Sequence, residues 1–348
     1  MKKSKIFYTL IGALALNYNV INADNTVIVK LPKVPEVPKI EAVVPKVIVL
    51  DDKNSTVKSN AEILEEFTKE REVVFSDHVA PEMMEEQDDK DKVVNIGDIS
   101  NGRVSAYLHA PLMDTKTVEA QLTKAGFEIL NTYKVDKKGI ATSIVFTNKE
   151  IVDMASKNNR GFAGALRVTI DKHNKLTSIQ NPIYLMKAFM QDEYNQELAE
   201  KTLKSIRDNF TDLKDSTEII KFRVLERFQF MEGMPRYNDM VTVKKAKNEV
   251  LYKKAKKSKK ILFEQKLSNG SILLGMKLGK RTTKFVKKTG YQNAGLLPYP
   301  VLIENGEVKI LDPKYYIAVM YPMLKMSQFM TISTVPGAIN KEMDKIFR

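Results

Sequence analysis

The 348-residue chain carries 56 Lys and Arg against 43 Asp and Glu, a formal net charge of +13, and has no cysteine, no tryptophan and three histidines. Without cysteine, disulfides, thiolate nucleophiles and cysteine-ligated zinc or iron–sulfur sites are excluded, so the fold rests on ordinary apolar cores. The charge is polarised: residues 60–92 hold twelve acidic and four basic side chains, whereas residues 244–288 hold sixteen basic ones against Glu249 and Glu264. Such asymmetry points to an anionic partner for the basic stretch, or to contact between oppositely charged parts of the chain.

Lys2, Lys3 and Lys5 precede an apolar run over 6–16 and a polar stretch ending in Ile21-Asn22-Ala23. This is the layout of a signal peptide over residues 1–23, cleaved after Ala23, which places the mature chain in the periplasm. The alternative is an uncleaved tether to the inner membrane, although the run of about 11 residues falls short of the roughly 20 that a spanning helix needs. No later stretch is long and apolar enough to span. Residues 24–59, with Pro32, Pro35, Pro38 and Pro45, read as an extended spacer. Within it, 26–29 and 47–50 are β-branched enough to serve as edge strands. Residues 60–94 read as an acidic connector, with a short amphipathic helix after Asn60 that places Ile63, Leu64 and Phe67 on one side.

From residue 95 the chain repeats itself at a spacing of about 131 residues. Ala163-Gly164 falls on Ala294-Gly295, the turn at Asp171 on the turn at Glu304, and Asn181-Pro182-x-Tyr184 on Asp312-Pro313-x-Tyr315. The first copy, 95–210, reads as strand 104–109, helix 115–125 closed by Gly126, strands 127–135 and 141–147, helix 149–157, a hairpin of 162–171 with 175–179, a helix opened by Pro182, and a helix over 196–209. Residues 211–233 are an inter-repeat linker in which 217–231 fits strand or helix. The second copy, 234–348, follows the same order: strand 239–244, helix 247–260, strands 261–267 and 271–278, helix 280–289, a hairpin of 295–303 with 307–310, a helix opened by Pro313, and a last helix after Pro336-Gly337. The expected fold is α+β: two tandem two-layer domains of β-α-β-β-α-β-β-α order, helices packed on mostly antiparallel sheets.

The strand Gly295-Leu296-Leu297-Pro298-x-Pro300-Val301, followed by a hairpin, Asp312-Pro313 and a helical tail, resembles the family known as domain of unknown function 302. The resemblance covers the second copy, and a more degenerate version fits the first through Ala163-Gly164 and Asn181-Pro182. It implies a compact two-layer domain that pairs with a like domain, and no activity. The family's Cys-like position is Tyr299 or Pro300 here, so a thiol role does not carry over. Fused in one chain, two such copies build inside the molecule the isologous contact that single-domain relatives would make as dimers. Asn181, Tyr184, Asp312 and Tyr315 are then candidates to line a cleft between the copies, beside their plainer role as Asx cap, N1 proline neighbour and first-turn aromatic.

The strongest chemical signal is the lysine-rich helix of the second copy. Lys253, Lys254, Lys256, Lys257, Lys259 and Lys260 crowd into about two turns, either as an anion-binding face or as a solvated face that keeps the protein soluble. Nucleic acid is disfavoured by export and by the lack of interleaved aromatics for stacking. Met320, Met323, Met326 and Met330 have the spacing of core packing rather than of a thioether copper site. His78, His109 and His173 stand apart from one another, and neither a nucleophile elbow nor a glycine-rich phosphate loop occurs. No catalytic residue, metal ligand or cofactor is therefore expected. The reading is a non-catalytic periplasmic envelope-associated binding protein whose basic domain meets an anionic partner: lipid, lipopolysaccharide or an acidic protein. The alternative is a small-ligand carrier or hydrolytic enzyme that uses the cleft between the repeats.

Overall fold

Strands marked by β-branched and aromatic alternation assemble into two large antiparallel sheets and a two-stranded one, Arg103–Ser105 with Ile219–Lys221, in the computed structural model, which describes residues 94–348. The signal peptide, the proline-rich spacer and nearly all of the acidic connector lie outside the described residues. The fold is α+β, with helices on antiparallel sheets. In the first half, β1 (Arg103–Ser105), β2 (Tyr107–Pro111), α1 (Thr115–Lys124), β3 (Glu128–Lys134), β4 (Ala141–Thr147), α2 (Lys149–Ala155), β5 (Leu166–Asp171), β6 (Leu176–Gln180), α3 (Pro182–Met190), α4 (Gln196–Arg207), β7 (Lys214–Asp215) and β8 (Ile219–Lys221) follow in order. The second half has β9 (Val241–Lys245), α5 (Asn248–Lys257), β10 (Ile261–Lys266), β11 (Ile272–Met276), α6 (Val286–Thr289), β12 (Tyr299–Glu304), β13 (Glu307–Ile310), α7 (Pro313–Val319), α8 (Met326–Met330) and α9 (Val335–Phe347). The large sheets are ordered β3-β4-β5-β6-β2-β7 and β10-β11-β12-β13-β9. Apart from β7 the two orders are the same.

Local chemistry sets the helix starts. Asp114 caps α1 by accepting from the Thr117 amide at 3.0 Å, and Gly126 takes the positive φ of 86° just past its end. Asn181 and Asp312 cap α3 and α7, each followed by a proline whose missing N–H is one of the unpaired donors of a first turn. The inward faces are apolar: Val118 and Leu122 on α1, Leu251 and Ala255 on α5. A single hydrophobic cluster runs through both halves, and the described residues fall within one compact unit, Asp89–Arg348.

Four elements differ from the sequence expectation. The strand expected over 104–109 breaks at Ala106, because β1 leaves the sheet to pair with β8 while β2 stays beside β6. The 211–233 segment is more than a linker: β7 adds to the edge of the first sheet, and Phe222–Arg227 is a 3-10 helix. Both repeat motifs Ala-Gly lie in 3-10 turns, Gly161–Gly164 and Tyr291–Leu296, and not in the strands that follow. The last helix contains Pro336 in its first turn instead of following it.

These two turns make the junction. Gly161–Gly164 packs on β11 and β12 of the other half, and Tyr291–Leu296 packs on β4, β5 and β6. Gly161 is required there, since a Cβ would stand 2.4 Å from Leu302 Cδ1. Carbonyls that a 3-10 turn leaves open are taken up by side chains of the first sheet. Gln180 Nε2 donates to Gly295 O at 2.8 Å, Ser143 Oγ to Leu297 O at 2.8 Å, and the fully buried Arg167 to Pro298 O at 3.3 Å. No helix among the described residues is long and apolar enough to cross a membrane.

Candidate functional site

The six lysines of the basic stretch do not act as one face. α5 has 3.6 residues per turn, so its buried pair, Leu251 and Ala255, sends Lys254 and Lys257 to one flank, Lys256 to the other and Lys253 straight outward between them. On the outer flank, the Lys256 ammonium lies 4.7 Å from the Tyr252 ring centre and 3.7 Å from the Glu264 carboxylate, which also accepts from Tyr252 Oη at 2.6 Å. Tyr252, and after it Glu264, hold the Lys256 pKa above its ordinary value. Lys253 is exposed, and Lys259 is exposed at a φ of 56° just beyond the helix.

On the inner flank, Lys254, Lys257 and Lys260 face α9 across a cleft of about 610 Å³. Ser258, Gly279, Glu342, Lys345, Ile346 and Arg348 complete its lining. Lys254 Nζ donates to the Phe347 carbonyl at 3.2 Å and to the Arg348 carbonyl, fixing α9 against α5. Glu342 is the one carboxylate of the lining, and it is already engaged: it accepts from the Gly279 amide at 2.6 Å and from Thr282 Oγ1. Gly279 is needed for this, because a Cβ would meet Glu342 Oε1 at 2.8 Å. The Lys260 carbonyl accepts from the Lys277 amide at 2.8 Å. The lining therefore sets five cations, Lys254, Lys257, Lys260, Lys345 and Arg348, against one committed carboxylate. The volume is that of a small-ligand or headgroup site. Chemically it attracts a multiply charged anion; it holds no paired acids, and its one hydroxyl, Ser258, donates to the Ala255 carbonyl at 2.5 Å and accepts from the Lys260 amide. Among the described residues no cluster of three His, Cys, Asp or Glu is arranged to hold a metal.

The junction candidates fall elsewhere. Tyr184 Oη donates to Val319 O at 2.6 Å and Tyr315 Oη to Ala188 O at 3.4 Å, so each half's tyrosine ties the end of the other half's helix. Both partners are separated by the same 131 residues, which makes the ties reciprocal. Asn181 bonds Gly97 O and Ser105 O besides capping α3, and Asp312 accepts from the Lys314 amide at 2.8 Å. The two tyrosines, each 1% exposed, bond across the junction, whereas Asn181 and Asp312 bond within their own halves.

Glu218, which sequence reasoning left unmarked, is the titratable group of this region. It is 7% exposed, and its carboxylate accepts from the Met323 amide at 2.9 Å, joining the inter-repeat segment to the loop after α7. Burial pushes its carboxyl up to about 7, with the bonds to Met323 and Asn293 pulling the other way. The methionine stripe also divides: Met320 is buried, while Met323 and Met330 are 53% and 60% exposed. The expected core spacing fails because α7 ends before Met320 and a loop precedes α8, so the four methionines do not share a helix. Compared with protein-family models, curated proteins and solved structures, the chain matches none.

Proposed function

We propose that this is a non-catalytic, envelope-associated binding protein, exported through its first 23 residues, whose second half engages the phosphate-bearing surface of a membrane through the α5–α9 cleft. The observation that carries the reading is the cleft's imbalance, five cations, of which Lys254 is itself bonded to main-chain carbonyls, against one carboxylate that is internally bonded. Each lysine near an anionic lipid surface contributes about 1 kcal/mol, and the contribution falls off within a Debye length of about 8 Å at physiological salt. Both halves are, in the same proposal, diverged copies of the domain of unknown function 302, supported by their shared strand order. A carrier or hydrolase working at the junction has against it the closed, reciprocal tyrosine ties.

The test is co-sedimentation of the protein with phosphatidylglycerol vesicles, lipopolysaccharide-doped vesicles and neutral phosphatidylcholine vesicles across a salt series. Reversal of Lys254, Lys257 and Lys260 to Glu should weaken anionic binding by about 100-fold at low salt, from about 1 kcal/mol for each lost lysine contact. Reversal of Lys253, which points straight outward from α5, should have much less effect. Equal loss from both, or salt-independent binding, would sink the cleft as the site.

A further inference from the structure

The two large sheets share one strand order, but among the described residues only the first has its outer edge covered. β2, the edge strand by topology, is flanked by β7: Leu108 pairs with Asp215 and His109 with Lys214, and the Ser216 amide extends the ladder to Tyr107 O at 3.0 Å. β9 holds the same place in the second sheet, with β13 on one side and, among the described residues, no strand on the other. Residues 241–245 make no backbone hydrogen bond to any described residue outside β13. A strand edge of this kind leaves a row of N–H and C=O groups open to pairing.

We propose that the open edge of β9 takes up an acidic, extended segment of a partner protein as an added strand. The molecule shows the mode itself, in β7 on β2. Charge selects the partner. Lys244 and Lys247 are exposed and ion-paired to no described residue, and Lys245, paired to Glu307 at 2.6 Å, keeps a side chain that is 74% exposed. The register shifts between Val308 and Lys309, so Thr242 pairs with Lys309 and Lys244 with Val308, on opposite faces of the sheet. Thr242 lies beside a cleft of about 360 Å³ lined also by Asn159, Asn238, Met240 and Lys309. An added strand thus meets Lys244 with an acidic residue on one face and has room for a side chain beside Thr242, at the cleft, on the other. A second copy of this chain is the wrong occupant: antiparallel pairing of two β9 edges would bring Lys244, Lys245 and Lys247 of both into one ribbon, and like charges across strands are destabilising. This surface is separate from the α5–α9 cleft.

The probe is a fluorescent synthetic peptide alternating valine and glutamate, with two comparators: lysine in place of glutamate, and the glutamate peptide N-methylated at alternate residues so that it cannot pair. The full chain should bind the glutamate peptide at least tenfold more tightly than either comparator, and amide exchange should slow at residues 241–245. Lys244→Glu, at an exposed position, should reverse the charge preference. The double reversal of Lys257 and Lys260, which carry no tie to α9, should leave peptide binding unchanged, which separates this proposal from the membrane reading. Equal binding of the N-methylated peptide, exchange protection confined to α5 and α9, no binding at all, or dimerisation of the free protein through β9 in sedimentation velocity would each overturn it.

Discussion

α1 and α5 stand at the same point of the strand order, yet α5 presents a far more basic surface. Each buries two apolar residues four apart, Val118 and Leu122 against Leu251 and Ala255. Their outward faces have no such constraint: α1 carries Lys116 and Lys124 against Glu119, while α5 carries Lys253, Lys254, Lys256 and Lys257 against Glu249. The starts differ as well. α1 has a side-chain cap in Asp114, whereas α5 begins at Lys247 without one and has Glu249 in its first turn and lysines in its last, an arrangement that suits the helix dipole. The lesson is that packing fixes which residues face inward and leaves charge free to diverge. It diverged where α9 supplies a second basic wall.

The largest test of that division is on the shared inward face. Leu122 and Leu251 are both fully buried, and Leu122→Ala and Leu251→Ala should each lose about 2–5 kcal/mol of stability. Denaturant titration of the two variants should give losses of similar size. A loss at one helix several-fold that at the other would break the equivalence of the halves.

A second test lies at the seam between them. Glu218 has a folded pKa of about 7 against an ordinary 4.5. For an acid raised in this way, the protonated form is favoured by the fold, so the stability it confers is present below pH 4.5 and is lost as pH rises to about 7. The full span of that shift corresponds to about 3 kcal/mol as an upper value. Thermal melts between pH 4.5 and 8 should show this decline, and Glu218→Gln should flatten it. A wild-type profile identical to that of the Gln variant would remove Glu218 from the seam's energetics.

Much of the first-order pattern was legible from alternation and turn chemistry. The strands at 141–147 and 307–310 coincide with β4 and β13, and the Asx-Pro motifs open α3 and α7 as their chemistry requires. What escaped the sequence depends on distant partners. The 3-10 turns exist because each is pressed against the other half's sheet, and the short β7 forms because β2 offers it an edge. The basic cleft was half legible: the lysines of α5 stood out by density, but Lys345, Arg348 and Gly279 join them only through packing across some 93 residues, as between Lys254 and Phe347. Glu218 lay in the segment whose periodicity fitted strand and helix alike, so nothing marked it for burial.

The smallest expected effect probes the symmetry of the seam most directly. Tyr184 and Tyr315 make the same tie in opposite directions, but at 2.6 Å and 3.4 Å. The longer distance lies near the limit at which a hydroxyl bond retains strength, so the two ties are unequal in energy even though they are equivalent in sequence. Tyr184→Phe leaves the Val319 carbonyl without that donor in a buried setting and should cost about 1–2 kcal/mol. Tyr315→Phe removes a bond already stretched and should cost about 0.5 kcal/mol. Both rings are kept, so packing of the aromatic cluster around Tyr237 and Phe228 is preserved and the difference reads the hydroxyls alone. Because the two sites lie close together, the double variant belongs in the same series. Equal losses at the two positions would mean that the seam relaxes to true two-fold balance in solution, and a larger loss at Tyr315 would reverse the order of the ties.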